Sequence, residues 1–232
     1  MGGDGVCYPP AMLFLLACAA APPSPSCPEG MAIISAGTVT LGVDERTKAW
    51  HRPAHDVTLA AYCIDRYEYP NQAGQRPRNH VTFDEASALC AAAGKRLCSS
   101  DEWERACRGT AGTTYVYGNK YDSTRCNTPL AHAGAPRSQD PLAPAGSHPD
   151  CVSPEGVYDL NGSLSEWVDT PWNEPGPPGV TVDPAKWRVL RGGTMWAKTA
   201  YGQDCLSRHA HDRSTYQNDD DGFRCCRDPL AR

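Results

Sequence analysis

The sequence predicts an α+β fold of irregular, loop-rich build, and three observations predict it. Two β-leaning runs are followed by two short helices with well-marked N-termini, and 21 glycines and 21 prolines interrupt the rest of a 232-residue chain. Of 12 cysteines, setting aside Cys7 and Cys18 in the N-terminal 26 residues leaves Cys27, Cys63, Cys90, Cys98, Cys107, Cys126, Cys151, Cys205, Cys225 and Cys226, an even set without a Cys-x-x-Cys pair. That pattern suits a disulfide framework in an oxidising compartment better than a zinc site, whose ligands come in close pairs.

The first β-rich run, Met31 to Leu41, ends at Gly42, and the second covers Val57 to Ile64, so the two read as paired strands. Thr82-Phe83-Asp84-Glu85 is a capping box, after which Phe83, Ala86, Leu89, Cys90 and Ala93 recur at helical spacing up to Gly94. A second capping box, Ser99-Ser100-Asp101-Glu102, opens a helix through Trp103, Ala106 and Cys107 that stops at Gly109. Beyond Gly109 the pattern is of short apolar pieces among Gly, Pro, Asn and Asp, which reads as mostly loop. No internal repeat is visible, and the Pro-rich stretch from Pro171 to Pro184 joins segments too short to fold alone, so residues 27–232 are expected to form one domain.

A net charge of -5 with no basic run longer than Lys95-Arg96 excludes a nucleic-acid partner. The one long apolar run, Ala11 to Ala21, is too short to span a bilayer, and residues 1–26 read as a signal peptide and tether. Its end, Leu15-Leu16-Ala17-Cys18, resembles a lipobox that would lipidate Cys18, the alternative being an ordinary cleaved signal. The expected location is extracytoplasmic: a periplasmic or cell-surface lipoprotein, or a secreted protein. Nucleophile elbows, phosphate loops and zinc-protease helices are absent, so hydrolase and kinase readings have no support.

Several segments in order resemble the sulfatase-modifying-factor family, whose members include formylglycine-generating enzymes. They are Met31-Ala32-Ile33-Ile34-Ser35-Ala36-Gly37-Thr38, Ile64-Asp65-Arg66-Tyr67-Glu68, Gly94-Lys95-Arg96-Leu97 and Glu102-Trp103-Glu104-Arg105-Ala106-Cys107-Arg108-Gly109. Gly156-Val157-Tyr158-Asp159, Asn161-Gly162-Ser163-Leu164-Ser165-Glu166-Trp167, Arg188-Val189-Leu190-Arg191-Gly192-Gly193 and Gly222-Phe223-Arg224-Cys225 complete the set. The resemblance implies a C-type-lectin-like fold of the formylglycine-generating enzyme type. It also implies two disulfides, Cys90 with Cys225 and Cys107 with Cys205. Of the six remaining cysteines, Cys126 with Cys151 is the expected pair, and the others are left open.

The resemblance further implies a cysteine oxidase that holds copper(I) on two thiolates, soft ligands for a soft ion, and acts on Cys-x-Pro-x-Arg segments of target proteins. Here Ala197 and Gly202 stand at those two positions, and Ser165 replaces the family's tryptophan before Glu-Trp. Copper is therefore not expected. Calcium is, because the family binds it through the segment that here carries Asp159 and Glu166 side chains and the backbone oxygens of Gly162 and Leu164, hard donors that suit the ion. A second family site would begin at Asn127 and Thr128, with Asp140 as a further ligand.

His209-Ala210-His211 has ligand spacing but no third partner, and Asn218-Asp219-Asp220-Asp221-Gly222 lacks the later ligands of an EF-hand. Both read as solvated loops. The leading functional expectation is a noncatalytic, calcium-binding module that takes a peptide or small ligand in its cleft. The alternatives are a formylglycine-generating oxidase and a different enzyme or maturation factor on the same scaffold.

Overall fold

The structure, a computed structural model, describes residues 25–44, 51–128, 141–174, 181–196 and 202–230. The first β-leaning run divides into β1 (Met31–Ile34) and β2 (Gly37–Leu41), and the second into β3 (His55–Leu59) and β4 (Tyr62–Asp65). β1 pairs antiparallel with β4, and β2 with β3, so the two runs do pair, but as strands of two separate sheets. The core sheet buries β4 on both faces, whereas the β2–β3 ribbon is largely wet.

Both helices start where their capping boxes put them. In α1 (Phe83–Ala92) Thr82 accepts from the Glu85 N–H and the Glu85 side chain returns to the Thr82 N–H; Ser99 and Glu102 do the same for α2 (Ser100–Arg108). α2 is buried almost all round although it is strongly charged. Its charges are paired: Glu104 accepts from Gly42 N (2.6 Å), Arg108 Nη1 (3.0 Å) and the fully buried Arg191. Burial alone would raise the Glu104 carboxyl, but Arg191, Arg52 and the Gly42 N–H overcome it and hold it at about 2. Removing one partner of such a set would strand the other as an unpaired buried charge.

The second half is richer in strands than its sequence suggests: β6 (Ser165–Pro171), β7 (Trp187–Arg191), β8 (Arg208–Asp212), β9 (Asp221–Phe223) and β10 (Cys225–Arg227), with β5 (Arg96–Leu97) lying between the helices. They build a β8-β7-β6-β9 sheet in which β9 runs parallel to β6, while β10 joins the β1-β4-β10-β5 sheet. The first four residues of β6 are buried on both faces, including Ser165 and Glu166, so the apolar alternation that marks a half-exposed strand never appears.

Five disulfides tie the elements: Cys27–Cys63, Cys90–Cys225, Cys98–Cys226, Cys107–Cys205 and Cys126–Cys151. Cys225 and Cys226 are consecutive, so one short strand is clipped both to α1 and to the segment entering α2. This number of bridges places the protein in an extracytoplasmic or secretory-pathway setting. No helix among the described residues is long and apolar enough to cross a membrane.

Candidate functional site: a buried carboxylate cluster and an adjoining acidic cleft

Glu166 enters the interior because β6 is central in its sheet, and its carboxylate has no exposure to solvent. Arg224, between β9 and β10, meets it with two parallel bonds, Nε to Oε2 at 2.7 Å and Nη2 to Oε1 at 2.6 Å. The Trp103 indole N–H donates to Oε2 at 2.8 Å. The remaining Arg224 N–H groups go to the carbonyls of Asp65, Arg66 and Tyr158.

Two more buried carboxyls surround this pair. Glu68, which follows β4, accepts from Leu164 N at 3.1 Å and from Ser163 Oγ at 3.2 Å. Burial, then Asp159 and Glu166, push its carboxyl well above the usual range. Asp159 accepts from Gly146 N at 2.7 Å. Burial raises its carboxyl to about 6 against the opposing Gly146 N–H and Arg224, with Glu166 adding to the rise. Three carboxyls thus share one guanidinium. The loop between Asp159 and Ser163 is held in left-handed backbone at both residues (φ 61° and 56°) and at Gly162 (φ 75°). Only glycine fits at 162, since a Cβ there would lie 2.3 Å from the Asn127 carbonyl oxygen.

That contact brings together the two segments singled out for calcium. Ser163 N donates to Asn127 O at 2.7 Å, so Asn127 and Thr128 back directly onto the 159–166 loop. The Asn127 amide donates to Pro141 O at 2.9 Å, and Thr128 Oγ1 accepts from the Tyr121 hydroxyl at 3.1 Å. Asp140 lies outside the described residues, as do Ala197 and Cys18. Among the described residues no three His, Cys, Asp or Glu side chains converge as a metal cage, and Glu166 is already shared with Arg224 and Trp103. Of the copper positions, Gly202 is a left-handed turn residue, and Cys205, the nearest thiol, is bonded to Cys107.

Trp196, Asn218, Asp219 and Asp220 line a surface cleft of about 330 Å³. Of the two segments read as solvated loops, Asn218 and Asp219 are exposed ahead of β9 as expected, whereas His209, His211 and Asp221 are placed otherwise. His209 and His211 lie on β8, and burial lowers both imidazoles to about 4, so they are neutral at physiological pH. His211 stacks on Tyr216 with ring centroids 3.5 Å apart. Asp221 is 1% exposed because β9 pairs with the buried β6, and burial, then Asp220, raise its carboxyl to about 8. The sequence does not single out Glu68 or Arg224 as site residues, although the Asp65-Arg66-Tyr67-Glu68 and Gly222-Phe223-Arg224-Cys225 segments contain them; Asp221 falls in the acidic 218–222 segment, whose polarity gives no sign of its burial.

Residues 69–229 match the model of the sulfatase-modifying factor enzyme 1-like domain, and the chain belongs to that family. The chain is 31% identical over 160 residues to inactive C-alpha-formylglycine-generating enzyme 2 of Mus musculus, covering 64% of this chain and 48% of that protein. It is 29% identical over 172 residues to the mouse formylglycine-generating enzyme, covering 66% of this chain and 45% of the relative. The chain therefore spans about half the length of these curated relatives. The solved structure of PvdO from Pseudomonas aeruginosa superposes with a TM-score of 0.69 at 22% identity, covering 90% of this chain and 100% of that one, which establishes the irregular, loop-rich α+β fold.

The raised Asp159 carboxyl makes the charged form a burden on the folded state when no cation offsets it. Its folded value of about 6 exceeds the ordinary aspartate value of 3.8, so its contribution to stability is full below about pH 4 and is lost as pH rises through 6. In chelator, Asp159→Asn should therefore stabilise the protein at pH 7 by on the order of 2–3 kcal/mol and flatten the loss between pH 4 and 6. Urea unfolding across that range measures both; a variant no more stable than the parent at pH 7 contradicts the assignment.

Proposed function

We propose that this protein is an exported, calcium-stabilised binding module on the sulfatase-modifying-factor scaffold, noncatalytic, with a peptide or small ligand held in the cleft beside Trp196. The observation that carries the reading is the state of the thiols. All ten cysteines among the described residues are in disulfides, Cys205 included, and Gly202 has no side chain to bind a metal. Copper(I) chemistry needs soft thiolate donors, and a bridged sulfur is not one. The family includes a relative whose name declares it inactive, so a scaffold of this kind without oxidase activity has precedent. Attachment to a membrane would come only through a lipid on Cys18.

Calcium is the fitting cation for the carboxylate cluster. Glu68, Asp159 and Glu166 with Arg224 leave two negative charges in excess when all are ionised, in a site where all four residues are at most 4% exposed. Burying that excess without a counterion is costly. Asp159 and Glu166 with the carbonyls of Gly162 and Leu164 would hold the ion, and Asn127 and Thr128 would contribute to a second site against the same loop. A bound calcium stabilises the fold and fixes the loop that carries Ser163 and Leu164 toward Glu68.

Calcium at about 100 times its dissociation constant should raise the melting temperature by about 5–10 °C over the chelated protein. The gain should grow as pH rises from 4 to 7, because binding requires the carboxylates. Equal melting curves with calcium and with chelator at pH 7 would remove calcium from the account. For catalysis, the purified protein given copper(I), oxygen and a synthetic Cys-x-Pro-x-Arg peptide should leave the peptide mass unchanged. Conversion of the cysteine to formylglycine would show an oxidase instead.

A further inference from the structure

The loop that follows α2 closes on itself between Thr114 and Arg125. Tyr115 and Gly118 exchange both of their backbone bonds, at 2.8 and 3.1 Å, and Asn119 Oδ1 accepts from Thr114 N at 2.9 Å and Thr114 Oγ1 at 3.3 Å. The Cys126–Cys151 bridge pins its far end. Its three tyrosines pack against one another: Tyr115 and Tyr117 lie nearly parallel with centroids 5.4 Å apart, and Tyr121 tilts against Tyr115 at 5.6 Å. Tyr115 is buried, so the half-buried rings of Tyr117 and Tyr121 stand on a fixed base. They wall a surface groove of about 650 Å³, which they share with Asn119, Lys120, Asp122 and Arg125. That volume falls within the range of about 300–1,000 Å³ typical of small-molecule sites. The groove has no lining residue in common with the cleft beside Trp196.

The hydrogen-bonding groups of this groove are unevenly spent. Its carboxylate and amide oxygens are engaged: Asn119 Oδ1 by Thr114, Asp122 Oδ1 by Thr124 N at 3.0 Å and Thr124 Oγ1 at 2.6 Å, and Asp122 Oδ2 by Arg125 Nε at 3.5 Å. The tyrosine hydroxyls are engaged too, Tyr117 exchanging bonds with the Asp122 backbone at 3.2 and 3.3 Å and Tyr121 donating to Thr128 Oγ1 at 3.1 Å. The donors are not. Among the described residues, the exposed Lys120 ammonium and the Asn119 side-chain N–H groups have no partner. Arg125 reaches Asp122 and, at 4.0 Å, the 72% exposed Asp150, both beyond the length of a strong charged hydrogen bond, so most of its five N–H groups are uncommitted. A ligand that completes this groove therefore brings acceptors. Lys120 and Arg125 against Asp122 leave one positive charge in excess, on a chain whose net charge is -5. One surplus charge matches a carboxylate better than a phosphate dianion.

The guanidinium also sets where the rest of the ligand lies. Arg125 Cζ sits 5.9 Å from the Tyr117 ring centroid, so a carboxylate held by Arg125 and Lys120 brings the group attached to it onto that ring. A flat aromatic group there gains offset or edge contacts that an aliphatic chain does not. We propose that the groove between Tyr117, Lys120 and Arg125 binds an aryl carboxylate. The carboxylate accepts from Lys120 Nζ, Asn119 Nδ2 and the Arg125 guanidinium, and the ring packs on Tyr117 and Tyr121. A bare inorganic anion would leave the rings unused, and a neutral ring would leave the donors without acceptors. The same chemistry is offered by a free aryl acid and by the C-terminal residue of a polypeptide that ends in an aromatic side chain.

The test is isothermal titration of the full chain at pH 7 with 3-phenylpropanoate, 3-phenylpropanamide, acetate, and a short N-acetylated peptide ending in phenylalanine with a free C-terminus. 3-Phenylpropanoate should bind at least about tenfold tighter than the amide, which lacks the charge, and than acetate, which lacks the ring. Tighter binding of the peptide than of 3-phenylpropanoate identifies a polypeptide terminus as the source, and the reverse order identifies a free aryl acid. Amidation of the peptide should abolish its binding. Lys120→Met keeps the aliphatic stem and removes the charge, and Arg125→Gln removes the guanidinium; each should weaken 3-phenylpropanoate by about fivefold, and both together by about twentyfold or more. Both positions are exposed, so thermal melts should show the variants folded. Failure of both 3-phenylpropanoate and the peptide to bind, equal binding of the amide or of acetate, or undiminished affinity in the folded double variant would overturn the proposal.

Discussion

A guanidinium sealed from water needs an acceptor for each of its five N–H groups, and Arg224 finds them on three separated segments. Two go to Glu166 on β6, two to the carbonyls at the end of β4, and one to Tyr158 ahead of the 159–166 loop. The two residues that follow Arg224 are Cys225 and Cys226, bonded to α1 and to the entrance of α2. One short segment near the C-terminus thus sets the distance between both helices, two sheets and the carboxylate cluster. A buried ion pair of this kind gives little net stability over an apolar substitute, but breaking it on one side is expensive, so it specifies one arrangement.

From that arrangement the electrostatics of the site follow. Glu166 is satisfied by Arg224 and Trp103, which leaves Glu68 and Asp159 to share whatever attraction remains. Both respond by rising toward protonation, and a hard divalent cation is the partner that would reverse this. On the other face of β6 the neighbouring residue, Ser165, belongs to a different environment, facing Asp221 under Tyr216. Alternation along a single strand therefore separates the carboxylate cluster from the face under Tyr216 with one peptide unit between them.

Much of this was legible in the sequence where the signals are local. Both capping boxes marked their helices because the bonds they make span three residues, and the order of short segments carried the family resemblance. The disulfides Cys27–Cys63 and Cys98–Cys226 were not legible, since their partners meet only through sheet pairings between residues far apart in the chain. The sequence of β6 and β9 reads as loop because Ser165, Glu166 and Asp221 look solvent-seeking, and only the parallel pairing buries them. His209 and His211 look solvated for the same reason: burial on β8 comes from the strand's neighbours and from Tyr216, not from their own polarity.

The central claim is that the scaffold is kept while the thiolate chemistry of its enzymatic relatives is lost, and the pairing of Cys205 tests it most directly. Alkylation of the native, then the denatured, unreduced protein, followed by mass mapping of its peptides, reports every thiol and every bridge. The account predicts a peptide linking Cys107 to Cys205 and no alkylated cysteine among the ten from Cys27 to Cys226. A free, alkylated Cys205 together with stoichiometric copper(I) bound by the native protein would contradict it.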